Sequence, residues 1–175
     1  KKAGYETQLF LFNAAKMGVP QARERTFFIA RRLDLNLKPF KPIFDEKLIS
    51  VEEACKTIQP NTEEKLISDK LKELWFKVKP GKSFSTVHPK GHCFNMSTVN
   101  PRLPSRTVTA TQGLVYWKKP RYLNSYEIKR IQTFPEDFNF LNTDPCYVMG
   151  MSVPPFMTQR VALEIYNHWF KTKNN

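Results

Sequence analysis

Residues Gly18 to Arg32 read GVPQARERTFFIARR, and the rest of the chain is best understood outward from them. Gly18 and Pro20 punctuate a turn, while Thr26 to Ala30 is the β-branched and aromatic kind of run that forms a strand. Upstream, Tyr5 to Phe12 (YETQLFLF) is a second such run. Two strands of one sheet are therefore expected, joined by a loop that presents Gln21, Arg23 and Arg25. Taken alone, those three residues would be a solvated basic loop beside a strand.

Beyond Arg32 comes a proline-punctuated connection, then Ser50 followed by Glu53, the spacing of a capping box, which predicts a short helix to about Ile58. Residues 62–77 continue with helical spacing, Leu66, Leu71, Leu74 and Trp75 forming the apolar stripe. Asn124 and Glu127 make a second box before a helix that stops near Phe134 and Pro135. A last helix is expected from Pro154-Pro155 to about Phe170, with Ser152 as its cap.

Charge divides the middle of the chain. From Asp45 to Glu73 acidic residues are frequent, whereas Lys79 to Arg121 contains none and carries Lys82, Lys90, Arg102, Arg106 and Lys118 among its cations. That basic stretch is rich in Gly, Pro, Ser and Thr, with β-like pieces at 107–110 and 114–117, and so reads as loops on a small irregular sheet. The formal net charge of +12 makes nucleic acid the first partner to consider. Within the basic stretch the five named cations are the candidate DNA contacts.

Cys55, Cys93 and Cys146 lack any C-x-x-C spacing, so neither a disulfide framework nor a zinc site is expected, and reduced thiols are. His88 and His92 beside Cys93 have no fourth ligand at a recognisable spacing, and a surface loop is the expectation. No apolar run approaches the roughly 20 residues a membrane helix needs. A cytoplasmic protein is expected, with a natural chain that continues upstream of Lys1.

Several separated strings carry a family resemblance. Gln21, Arg23 and Arg25 in front of a hydrophobic strand resemble the Gln-x-Arg-x-Arg signature of the cytosine-5 DNA methyltransferases. PSRTVTA at 104–110 and RYLNSYEIKRIQTFPEDF at 121–138 resemble the family's later segments, in the right order. MGMSVPPFMTQRVALEI at 149–165 resembles its last motif, with Met151 where the family usually has Asn.

The resemblance implies an α/β fold: the C-terminal portion of a Rossmann-like methyltransferase sheet domain with a small, irregular, mainly β target-recognition domain inserted. Residues 1–32 would be catalytic-domain strands, 33–120 the recognition domain, and 121–175 the closing motifs and a helix returning to the catalytic domain. It implies transfer of a methyl group from S-adenosylmethionine to carbon 5 of a flipped cytosine in double-stranded DNA, in a restriction-modification setting.

Carbon 5 is a poor nucleophile, so the family first adds a Cys thiolate to carbon 6. Arg25 would hold the carbonyl oxygen of the extruded base, a task suited to a rigid, permanently charged fork of donors, with Arg23 and Gln21 supporting the pocket. Gly150, Ser152 and Val153 would border the methyl-donor site. Glu127, Arg130, Gln132 and Phe134 are expected to be structural.

The nucleophile itself has no counterpart here. Cys146 follows Pro145, but Tyr147 stands where the family motif has Gln, and the pair comes after the Gln-x-Arg-x-Arg signature instead of before it. No Phe-x-Gly-x-Gly or Glu-Asn-Val string is present. The chain alone is expected to be inactive, its partner being an N-terminal catalytic half in the same chain or a separate subunit, and apolar surface that half would cover is expected to be exposed. The alternative is a stand-alone sequence-specific DNA-binding module without catalysis.

Overall fold

The computed structural model describes residues 3–57, 64–111 and 113–171. Its longest strands are β1 (Tyr5–Asn13) and, after the two-residue β2 (Gln21–Ala22), β3 (Glu24–Arg32). β1 and β3 pair antiparallel with Leu9 opposite Phe28 and Phe12 opposite Arg25. Asn13 ends β1 by accepting the Ala15 amide at the start of a 3-10 turn over Ala14–Met17, and Gly18 closes that turn at φ 76, a conformation that favours glycine.

Alternation gives the hairpin two faces. One carries Phe10, Phe12, Phe27 and Ile29 into a core with Met17, Phe40, Met157 and Val161. The other leaves Leu9, Leu11 and Phe28 exposed, Phe28 at 74%. The connection after β3 is tied to this core: the Gln8 side chain both donates to and accepts from the Phe40 backbone, and Trp169 Nε1 donates to the Lys38 carbonyl.

The predicted helices form, shortened. α1 (Val51–Cys55) is capped by Ser50, which accepts the Glu53 amide, and the Ile58 end lies outside the described residues. α2 covers only Asp69–Trp75. Leu66 is not on its stripe: it sits in an extended piece bridged to Arg121, and is exposed. Ser68, a residue that competes with helix geometry, stands in extended conformation just before the true start, without a side-chain cap bond.

The basic stretch contains a 3-10 turn at Phe84–Thr86 and three two-residue strands, β4 (Ser97–Thr98), β5 (Ser105–Arg106) and β6 (Leu114–Val115). β4 and β6 pair parallel, as do β2 and β5. The strand expected at 107–110 thus lies earlier, and Val108 gives its backbone groups to the buried side chains of Gln21 and Arg23 instead of to a neighbouring strand. α3 (Ser125–Ile131) has a complete capping box from Asn124 and Glu127.

One helix was not foreseen, α4 (Pro145–Met151). Its signal is nonetheless local: Asp144 caps it by accepting the Cys146 amide, and Pro145 occupies the first turn. Ser152 ends α4 and does not cap the last helix. That helix, α5 (Pro155–Trp169), starts after Pro154 as expected. Residues 121–171 divide between two cores: α5 packs on the hairpin, whereas Leu123, Ile128, Ile131, Phe134 and Met149 share a core with Val51, Val99, Val108 and Leu114.

Candidate functional site

Gln21 and Arg23 are not presented by a loop; both are buried, Arg23 to 1% exposure. Gln21 is held by the parallel pairing of β2 with β5, opposite Ser105, and its Oε1 accepts the Val108 amide at 2.9 Å. Arg23 follows and spreads its fork between two segments: Nη1 donates to the Val108 carbonyl and Nη2 to the Gly150 carbonyl, each at 2.7 Å. Side-chain bonds thus satisfy both Val108 backbone groups in place of a strand ladder.

These bonds converge on the C-terminal end of α4, where the helix runs out of backbone donors and the Ser152 amide is shared between the Val148 and Met149 carbonyls. The Gly150 carbonyl is taken by Arg23, the Met149 carbonyl by Gln132 Nε2 at 2.6 Å, and the Val148 carbonyl by the Ser152 hydroxyl at 2.6 Å. A guanidinium there also complements the negative end of the helix. The Gln-x-Arg-x-Arg, Gln-x-Phe-Pro and Gly-x-Ser-Val-Pro-Pro strings, far apart in sequence, therefore meet at one buried junction. Glycine is needed at 150 because a Cβ there would lie 2.3 Å from the Thr109 carbonyl group and the Ala110 nitrogen.

Arg25 differs from Arg23. It is half-buried on β3, and among the described residues its guanidinium donates only to the adjacent Glu24 carbonyl, through Nη1 at 2.7 Å. Its fork keeps most of its donors for another partner.

The residues expected to border the methyl-donor site differ in what they leave available. Gly150 is buried against the 109–110 backbone with its carbonyl already bonded, and the Ser152 hydroxyl is spent on Val148. Val153 is exposed and Ser152 half-buried, alongside exposed Met151 and Phe156.

A second buried network supports α3. Arg121 and Glu127 pair through both carboxylate oxygens at 2.8 and 2.9 Å, and Glu127 also accepts the Asn124 amide. Burial would lower the Arg121 pKa, but the hydrogen bond and charge of Glu127, with Glu64 and Tyr116, raise it on balance. Glu127 and Gln132 are thus structural, as is Phe134 in the core; Arg130 bonds Glu136 and Thr57. The thiols are free and half-buried; burial, followed by the nearby Glu127 charge, pushes Cys55 up to about 12, and burial raises Cys146.

Among the candidate DNA contacts, Lys82, Lys90, Arg102 and Arg106 are exposed. Lys118 is engaged, 3.5 Å from Glu52 and over the Trp117 ring. His88 stacks on His92 and accepts the Lys90 and His92 amides through Nδ1, shaping the loop that carries Lys90. Among the described residues no group of three His, Cys, Asp or Glu could hold a metal ion, and no helix is long and apolar enough to cross a membrane.

Phe94 and Asn95, which sequence reasoning passed over, line a cleft of about 250 Å³ with Arg106 and with Thr107 and Thr109 of the 104–110 string. Nothing in the local sequence of Phe94 and Asn95 marks them.

Comparison with known proteins agrees with this architecture. The chain is 29% identical to the type II methyltransferase M.NgoFVII of Neisseria gonorrhoeae, over 89% of this chain and 48% of that protein. It is 30% identical to the type II methyltransferase M.BbvI of Brevibacillus brevis, over 88% of this chain and 47% of that protein. The chain thus spans about half the length of these relatives. Its fold is similar to that of the Entamoeba histolytica methyltransferase EhMeth (TM-score 0.64, 18% identity, 95% of this chain and 55% of that one) and of the S. pombe Dnmt2 methyltransferase (TM-score 0.65, 13% identity, 95% and 59%). The family of C-5 cytosine-specific DNA methylases matches residues 1–167, and with the converging motifs this places the chain in that family.

Proposed function

We propose that this chain is the target-recognition and closing part of a DNA cytosine-5 methyltransferase of a restriction-modification system. The whole enzyme would transfer a methyl group from S-adenosylmethionine to carbon 5 of a flipped cytosine in double-stranded DNA. The observation that carries the reading is the junction of Gln21, Arg23, Gln132 and Gly150, which joins the strand leading to Arg25 with the basic stretch of the chain. A base-holding residue and a DNA-reading surface must keep a fixed spacing if one base is to be selected by its surroundings.

In this reading Arg25 donates to the carbonyl oxygen of the extruded cytosine, offsetting the few kcal/mol that unstacking costs. Arg23 and Gln21 act through the backbone they hold and do not touch the base. The methyl-donor site lies chiefly on an N-terminal catalytic half that carries the nucleophilic Cys, with Val153 at its border. The exposed Leu9, Leu11 and Phe28 favour such a partner over a stand-alone binding module.

The test is reconstitution: the chain mixed with a segment carrying Pro-Cys-Gln and Phe-x-Gly-x-Gly, assayed for transfer of labelled methyl to duplex DNA. The chain alone should be inactive and the mixture active. Arg25→Lys should lose most activity with an unchanged melting temperature. Transfer by the chain alone, or full activity of Arg25→Lys, would remove the reading.

A further inference from the structure

The region around β5 holds two adjoining clefts, of about 200 and 250 Å³, which share Ser97, Arg106 and Leu114. Arg106 is the dividing cation. Except for Arg102, every other arginine spends guanidinium donors on a carboxylate or a carbonyl. Among the described residues the Arg106 fork has no partner, and its sequence neighbourhood from Lys79 to Arg121 supplies no acid to give it one.

The setting of Arg106 is rigid although its side chain is free. Its backbone lies opposite Ala22 in the β2–β5 pair, the next residue's Thr107 hydroxyl donates to the Ala22 carbonyl at 3.1 Å, and Val108 is clamped by Gln21 and Arg23. Facing it, Phe94 is 68% exposed, and the Asn95 carboxamide also has no partner among the described residues. Gly113 seats this loop: a Cβ there would lie 2.6 Å from the Asn95 carbonyl oxygen.

A free planar fork on a fixed strand, beside an open amide and an exposed apolar ring, has the chemistry of a base-edge reader. Lysines that only neutralise phosphates need neither the fork nor the wall. We propose that the cleft between Phe94-Asn95 and Arg106-Thr109 is a guanine-reading subsite. Arg106 donates to O6 and N7 at the major-groove edge of one guanine, and Phe94 forms the apolar wall that excludes water from those bonds. The inference rests on the DNA-binding reading above and adds which base is read, and by which residue.

The experiment is selection of duplexes from a random 20-base-pair library by the 175-residue chain, followed by sequencing and by titration of the selected duplex at several salt concentrations. Arg106→Lys and Phe94→Ala are compared with the parent; both side chains are exposed, and melting temperatures confirm that the variants fold. The parent should enrich a site with guanine at one position. Arg106→Lys should lose that preference alone, by about tenfold or more, with the rest of the site retained. Phe94→Ala should weaken the same position.

If Arg106→Lys binds every sequence as the parent does, the subsite is refuted. A uniform weakening in Arg106→Ala, with the salt slope reduced by about 0.9, would make Arg106 a phosphate contact and also refute it. If the parent binds no duplex at all, the DNA-binding reading of this chain fails and the subsite with it, an outcome distinct from both.

Discussion

Arg23→Met tests the buried junction most directly. Methionine keeps a flexible stem of similar reach but removes both donors, leaving the Val108 and Gly150 carbonyls without their side-chain partner. Bonds to a charged donor contribute about 1.5–3 kcal/mol each, so the two together are worth about 3–6. Removing a buried guanidinium, whose Nε has no partner among the described residues, returns part of that through relief of its desolvation.

The expected net loss is about 3 kcal/mol, a fall in melting temperature of roughly 6–12 °C for a chain of this size. Arg23→Lys can reach only one of the two carbonyls and should lose about half as much. Urea titration followed by circular dichroism measures both. An Arg23→Met variant within about 0.5 kcal/mol of the parent would show that the fork does not hold the end of α4, and the argument for Arg23 as a positioning residue would collapse.

Gly150→Ala forces a Cβ into the 109–110 backbone and should cost about 1–3 kcal/mol or more, read from the same titration. Glu127→Gln breaks the buried pair with Arg121 from one side and should destabilise by about 3–5 kcal/mol, with part recovered by adding Arg121→Met. Raised thiol pKa values keep Cys55 and Cys146 protonated at pH 8; iodoacetamide should therefore label both more slowly in the folded chain than in urea, with mass spectrometry giving the rates. For Cys55 the linked stability is complete below its unfolded value near 9 and falls as pH rises toward about 12. Leu11→Lys with Phe28→Lys should reduce binding of a hydrophobic dye without lowering the melting temperature, since both side chains already face outward.

Periodicity and punctuation made the two long strands, the caps at Ser50 and Asn124 and the start of α5 legible, because each depends on neighbours within a few residues. The ordered strings around Gln21, Gln132 and Gly150 pointed to the family. The Asp144-Pro145 start of α4 was legible by the same rules and was passed over. The helical stripe through Leu66 failed because spacing alone cannot tell a helix from an extended piece paired to a distant residue, here Arg121.

What the sequence determined by itself is thus the local elements and the kinship of the chain, both written in short-range patterns. Only the tertiary structure decided that Arg23 is buried and Arg25 is not, that the Gly150 backbone packs against residues 109–110 with its carbonyl held by Arg23, and that Arg106 on its cleft has an unspent fork. Those outcomes depend on which carbonyls, carboxylates and backbone segments from remote parts of the chain arrive beside each side chain, and charge or residue type cannot reveal that in advance.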